Sequence, residues 1–429
     1  MNQAERKEIV ELIRREVIPA IGCTEPMAVA LATSRATELL GRLPERIEVR
    51  LSPNILKNAM GVGIPGTGMI GLPVAVSLGA LVGRSAYGLE VIKETKPADV
   101  EQAKEYIAQN RIGITLKKDI TERLYVEVEV TGGGESAKAV IAASHTNFVY
   151  LSHNDKVLLD CSISGSDERC AKEVALTMRR VYDFATTAPV DEISFILEAR
   201  RLNKAAAEES LNGEWGHCLG RTLQSATERR IMGDSTFSRI LSYTSAACDA
   251  RMGGAMIPVM SNSGSGNQGI AATLPVVVYA EDNACTEEQT ARALVLSHLT
   301  VIYIKQSLGR LSALCGCVVA ATGSSCGITY LMGGGYDEVS MAVKNMVANL
   351  TGVICDGAKP SCALKLTSGV STAVMSAVMA VEHRCVSSQE GIVDDDVDRC
   401  ILNLTEIGSR GMCETDRMIL DIMTSKQKN

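Results

Sequence analysis

Aromatic side chains are scarce in this chain: four Phe, ten Tyr and one Trp among 429 residues. A chain of this length holds two or three domains and a large core, which must then be built from Ala, Val, Leu, Ile and Met. Surplus positive charge is lacking as well. The 43 Lys and Arg stand against 50 Asp and Glu, for a net charge of −7. No basic block or Lys/Arg stripe offsets that balance, which argues against a nucleic-acid partner, since displacing counterions from phosphates takes a basic face. The start of the chain lacks the apolar stretch of a signal peptide and is charged from Glu5 onward, so a cytosolic location is expected. The uncharged run between Arg310 and Asp337 looks membrane-like, but it is filled with Gly, Ser, Ala and Cys and has no flanking aromatic anchors. A tightly packed pair of interior helices is expected there, and no membrane span. No P-loop pattern, paired C-x₂-C knuckle or fixed-period repeat occurs.

Cysteine, by contrast, is plentiful, with fourteen residues. In a reducing compartment these are free thiols, and most act as small hydrophobes. The pattern along the chain predicts an α+β organisation. An N-terminal mixed α/β domain with antiparallel strands is expected over residues 1–185, and a mainly helical domain over 186–429. Helices are expected over roughly 3–18 and 24–41, broken by Pro19 to Cys23, with Cys23 or Thr24 as N-cap of the second. A strand follows at Arg46 to Ser52, and residues 113–152 alternate as antiparallel strands around Gly132, Gly133 and Gly134.

Two segments have the spacing G-x-G-x-x-G, at Gly61/Gly63/Gly66 and Gly264/Gly266/Gly269. Neither reads clearly as strand–turn–helix, so neither is taken as a dinucleotide fingerprint. The second still gathers hydroxyls, amides and glycine N–H groups at Ser261, Asn262, Ser263, Gly264, Ser265, Gly266 and Asn267. Such a loop either cradles a carboxylate or serves only as a polar turn. Cys355 and Cys362, seven residues apart, would be separated by about 10.5 Å along a continuous helix. Gly357 and Pro360 argue instead for a loop that folds both sulfurs toward one point, and Cys315 can add a third thiolate from a helix end. Three thiolates leave one position of a four-iron cluster open; buried structural thiols are the alternative. Cys23, at a helix start, has the setting that lowers a thiol's pKa. His145 at a strand end is a candidate polar site residue, with a structural role equally open, and Lys57 is either a holder of a carboxylate or, as is more common, a surface lysine.

Five motifs together resemble the L-cysteine desulfidase family. They are Ile-Gly-Cys-Thr-Glu-Pro from Ile21, Pro-Gly-Thr-Gly from Pro65, His-Thr-Asn from His145, Asp-Ala-Arg-Met-Gly-Gly with the Ser261–Gly269 loop, and the nine residues from Cys355 to Ala363. The C-terminal half of that family is similar to the α part of bacterial iron–sulfur L-serine dehydratases. The resemblance implies an oxygen-sensitive [4Fe–4S] cluster acting as a Lewis acid, without pyridoxal phosphate, and degradation of L-cysteine to pyruvate, ammonia and sulfide. It places the cluster ligands at Cys315, Cys355 and Cys362, and a base or resting-state ligand at Cys23, while Cys317 and Cys326 are left as packing thiols. The expected partner is a small amino-acid substrate, and the expected assembly a homo-oligomer, a dimer. L-serine dehydration and a non-catalytic cluster-based sensor are the alternatives.

Overall fold

Strand Arg46–Leu51 sits inside a six-stranded sheet, parallel to Ile112–Leu116 on one side and antiparallel to Tyr125–Gly132 on the other. From there Glu135–Ala142, Phe148–His153 and Lys156–Asp160 continue antiparallel to the edge. The computed structural model describes residues 1–117, 120, 122–161, 174–309 and 311–426. The alternation of Val126, Val128 and Val130 puts three β-branched side chains on one face, where they pack with Ile47, Val49 and Leu51 against Leu31 and Leu78. Leu31 belongs to helix Thr24–Leu40 and Leu78 to helix Leu72–Leu81. The mixed α+β half and the helical half expected from the sequence are both present.

The uncharged run has become one helix, Gly316–Leu331, buried from Cys317 through Thr329. The expected pair is therefore a single element, and the next helix starts only at Tyr336. Its small residues have a packing reason: a Cβ on Gly323 would stand 2.3 Å from the Ser297 carbonyl of helix Glu287–Leu308. Charge is missing because this helix is surrounded by others, not by lipid. Helix Cys362–Val381 is the one described helix long and apolar enough to cross a bilayer, and it packs on Gly316–Leu331 and Tyr336–Leu350.

The break at Pro19 to Cys23 is more ordered than the sequence suggests. Pro19–Ile21 is a short strand, antiparallel to Pro258–Met260, with Pro19 opposite Met260 and Ile21 opposite Pro258. The first helix, Gln3–Glu16, buries Ile9, Leu12 and Ile13 in the core that holds Leu296 and Val343. The chain thus starts on the helical side and crosses to the sheet side immediately before Cys23.

Strand Pro258–Met260 leads through a turn into helix Gly266–Asp282. The second glycine motif therefore does have a strand before it and a helix after it, contrary to the sequence reading. The strand pairs antiparallel in a two-stranded sheet, so the parallel βαβ unit of a dinucleotide site is not formed here.

Behind that turn a buried imidazole holds the backbone in place. Asn262 Nδ2 donates to His298 Nδ1 and to the His298 carbonyl, both at 3.0 Å. The remaining ring nitrogen, Nε2, lies 3.0 Å from Thr273 Oγ1, and these partners fix the neutral tautomer with the proton on Nε2. Burial lowers His298 from 6.5 to about 3. Between those values the unfolded chain binds a proton that the folded chain refuses, so stability is full above pH 6.5 and declines as pH falls toward 3. His298→Gln should flatten the dependence of unfolding free energy on pH between about 4 and 6, where this residue contributes up to roughly 1.4 kcal/mol per pH unit. Denaturant titrations of both proteins across that range measure it.

Candidate active site

The three cysteines raised by their spacing meet at one cavity. Leu314 and Ile354 form an antiparallel bridge, in which Cys355 N donates to Ala313 O at 2.7 Å and Cys315 N to Val353 O at 2.9 Å. Residues flanking a bridge pair point to its opposite face, so Cys315 and Cys355 share a side. The chain then turns through Asp356 to Ser361 without forming a helix and enters helix Cys362–Val381. Gly357 makes that turn possible: its φ is +91°, and a Cβ there would lie 2.2 Å from the Lys57 carbonyl. Cys362 Sγ rests 3.6 Å from the Gly357 carbonyl. All three cysteines, and Cys23, line a cavity of about 80 Å³ between the sheet half and the helical half.

Cys315 caps helix Gly316–Leu331. Its thiol is pulled down to about 6 by the hydrogen bond from Cys317 and, against the cost of burial, by the N–H groups of Val318 and Cys317. Cys317 therefore lines the cavity and acts on Cys315, rather than only filling space; Cys326 remains a core thiol. Burial pushes Cys355 up, although Lys57 opposes it, and pushes Cys362 up to about 12. Lys57, Lys359 and Lys365 ring this loop, and all three act electrostatically on its thiols or its Asp356. Among the described residues, no three His, Cys, Asp or Glu side chains close on one point as for a single metal ion. A multi-iron cluster spreads its thiolates around a larger body, and two buried thiols and one half-buried thiol ringed by lysines suit an anionic group of that kind.

Cys23 is the N-cap of helix Thr24–Leu40, as the sequence indicates, but its thiol is not activated by the helix start. Burial, followed by the nearby Glu25 carboxylate, raises its pKa well above the ordinary value. Cys23 Sγ donates to Glu25 Oε2 at 2.8 Å, and Asn58 Nδ2 donates to Glu25 Oε1 at 3.0 Å. Burial pushes the Glu25 carboxyl up, yet His145, the Cys23 S–H and Arg251 outweigh it, and the net shift is downward. The dipole effect expected at Cys23 is thus found at Cys315, where the neighbour is a thiol donor in place of a carboxylate.

Of the remaining sequence-derived candidates, His145, Ser263, Gly264, Ser265 and Asn267 line the cavity, while Ser261, Asn262, Gly266 and Lys57 do not. Ser261 Oγ donates to the Ile18 carbonyl at 2.6 Å, and Asn262 is committed to His298. Lys57 is buried rather than on the surface. Its Nζ donates to Asp416 Oδ1 at 2.5 Å and to the Cys355 carbonyl at 3.1 Å, so it braces the cysteine loop and does not reach toward a substrate. Cavity-lining residues that sequence reasoning passed over are Glu25, Asn58, Arg251, Lys305 and Lys365, while Gln268 belongs to the Ser261–Gly269 loop already singled out. Two of these, Glu25 and Arg251, stand inside the quoted motifs, which was the available signal.

Thiols, a carboxylate, a guanidinium and a histidine converging on one cavity between two halves of a chain mark it as the candidate active site. The family described as serine dehydratase alpha chain matches residues 86–421, and the chain belongs to that family. It is also similar along its whole length to UPF0597 proteins. One from Bacteroides fragilis is 68% identical over 426 residues, which cover 99% of this chain and 100% of the relative. Those of Porphyromonas gingivalis and Oleidesulfovibrio alaskensis are 54% and 47% identical, each over 100% of both chains. Cys23, Glu25 and Asn58 precede the matched family segment but fall within the span shared with the UPF0597 relatives.

At neutral pH in protein freed of metal, Cys315 should be alkylated by iodoacetamide before Cys355 and Cys362, because only its pKa lies below 7. Peptide mass mapping after brief exposure reads the order. Equal labelling of the three would show that Cys317 and the helix N–H groups do not act on Cys315 as described.

Proposed function

We propose that this protein is an iron–sulfur L-cysteine desulfidase, converting L-cysteine and water to pyruvate, ammonia and hydrogen sulfide in the cytosol. The observation that carries the reading is one buried cavity with Cys315, Cys355 and Cys362 on one wall and the Cys23–Glu25 pair on another. Cys315, Cys355 and Cys362 would hold a [4Fe–4S] cluster. When bound, such a cluster supplies one open iron as a Lewis acid toward the leaving sulfur.

The chain's own residues account for the rest. The first turn of helix Gly266–Asp282, which has no side-chain cap, offers backbone N–H groups and the positive end of a helix dipole to the substrate carboxylate. Cys23 takes the α-proton, and Glu25, already the acceptor of the Cys23 S–H, holds the proton that Cys23 must first give up. Arg251 and His145 keep Glu25 ionised and so open to that proton, while weakening its hold on it, so that the proton is readily passed on. The low exposure of these groups excludes water while the carbon–sulfur bond breaks, and the released enamine hydrolyses in solution to pyruvate and ammonia.

A second reading, L-serine dehydration, is favoured by the family match alone; the same residues would then act with hydroxide as the leaving group. Anaerobic reconstitution with iron and sulfide, followed by parallel sulfide and pyruvate assays on both amino acids, separates the two. Sulfide release from L-cysteine in excess of pyruvate formation from L-serine is the expected outcome, and the reverse preference would replace the reading.

Replacing Cys315, Cys355 or Cys362 by Ala should remove the broad visible absorption of the reconstituted protein together with its activity. Full iron content in all three variants would defeat the ligand assignment. Cys23→Ser should still bind L-cysteine but lose turnover by roughly 100-fold or more, as removal of a general base does. Activity should also survive hydroxylamine treatment, which strips pyridoxal phosphate from enzymes that hold it on a lysine.

A further inference from the structure

Arg251 is 2% exposed and carries a charge that no pH in the folded range removes. Burying such a group costs several kcal/mol unless it is paired. Among the described residues it makes no direct ion pair, although the Glu25 carboxylate feels its charge. Its one hydrogen bond runs from Nη1 to the neutral Asn267 Oδ1, at 3.0 Å, and its Nε has no partner. Room for the guanidinium is reserved by Gly266, where a Cβ would stand 2.2 Å from that Nε. The fold has therefore paid to set a fixed cation against this cavity and left most of its donors open.

Two unmet acceptors belong to residues of the same lining. Asn58 Oδ1 and Gln268 Oε1 are buried and without hydrogen-bond partners, in side chains 8% and 4% exposed that line the cavity beside Arg251. The Asn58 amide cannot simply be reversed, because its Nδ2 already donates to Glu25 Oε1. Open donors of fixed positive charge and open neutral acceptors, gathered in one small cavity, are the complement of a ligand that brings a carboxylate and an ammonium on the same carbon. Leaving such groups unmet costs free energy that a matching ligand returns.

We propose that Arg251, set in place by Asn267 and Gly266, carries the substrate's α-carboxylate, and that the carbonyl oxygens of Asn58 and Gln268 receive its α-ammonium. The site then selects α-amino acids by their zwitterion, independently of the group that leaves. This rests on the reading of the protein as an amino-acid lyase and extends it: the helix start supplies supporting N–H groups, and Arg251 is the specific anchor. Glu25 stays free for the Cys23 proton because the ammonium is held by uncharged oxygens.

The test uses two half-substrates on the anaerobically reconstituted protein. 3-Mercaptopropionate keeps the carboxylate and thiol without the ammonium; cysteamine keeps the ammonium and thiol without the carboxylate. Calorimetric titration of the wild type, R251M and Q268M gives the dissociation constants. R251M should weaken 3-mercaptopropionate by roughly 100-fold and leave cysteamine unchanged. Q268M should weaken cysteamine by roughly tenfold and leave 3-mercaptopropionate unchanged. This crossed pattern is one that general damage to the cavity does not produce. Equal losses of both compounds in each variant, no loss in either, or failure of both compounds to bind the wild type overturns the proposal. Should R251M not fold, R251K, which keeps the charge but not the planar fork, must show the same selective loss in smaller degree. Turnover plays no part in the measurement. A crossed pattern in a protein that releases no sulfide from L-cysteine would leave the anchor standing and remove the reaction.

Discussion

Everything at this site depends on a three-residue strand pairing. Pro19–Ile21 against Pro258–Met260 joins segments some 240 residues apart and fixes two helix starts relative to each other: that of Thr24–Leu40, capped by Cys23, and that of Gly266–Asp282. Contacts on both sides continue the seam. Ser263 N donates to the Glu16 carbonyl at 2.9 Å and Ser261 N to the Ile18 carbonyl at 2.8 Å, while the Thr24 hydroxyl lies 3.0 Å from the Gly264 carbonyl. The sheet half brings Glu25, Asn58 and His145 to this seam, and the helical half brings Arg251, Gln268 and the three cysteines. Without the pairing, neither half has a complete cavity.

The site also shows how little a helix start decides by itself. Cys23 and Cys315 are both N-caps, and their thiols move in opposite directions. What differs is the first neighbour. Cys315 receives a hydrogen bond from Cys317, which favours its thiolate, whereas Cys23 gives its proton toward a carboxylate in a dry setting, which favours the thiol. The dipole supplies a fraction of a charge near the helix end, and burial beside a full charge outweighs it. One arrangement favours a thiolate and the other keeps a thiol.

The sequence made a good part of this legible. The helix over Thr24–Leu40, the strand from Arg46, and the hairpin at Gly133 and Gly134 follow from local periodicity and turn chemistry, and each is found within a residue or two. The loop from Cys355 to Cys362 was also readable, because Gly357 and Pro360 rule out a helix through it. Other features have no local signal. Pro19–Ile21 is too short to show alternation, and its partner lies far along the chain. Glu25 and Arg251 read as ordinary charged positions on helices until tertiary packing buries them. Ser261, Asn262 and Gly266 look like ligand-binding residues by composition, yet the first two are spent on Ile18 and His298 and the third serves by having no side chain. Chemistry-bearing residue types are visible in a sequence; the direction in which each one points is decided by the rest of the fold.

The Lys57 ammonium ties two distant parts of the molecule to a single charge. It is buried, it pairs with Asp416 in the final helix Cys413–Ser425, and it donates to the carbonyl of Cys355. That helix exposes Met418 and Ile422 to solvent and buries Ile419 and Leu420, so the ion pair acts beside an apolar seat in holding it. Order in the cysteine loop and attachment of this helix are consequently linked through one side chain. Whatever steadies the loop also helps to fasten this helix, and a protease that removes the helix strands a lysine in the interior with its charge uncompensated, directly beneath Cys355.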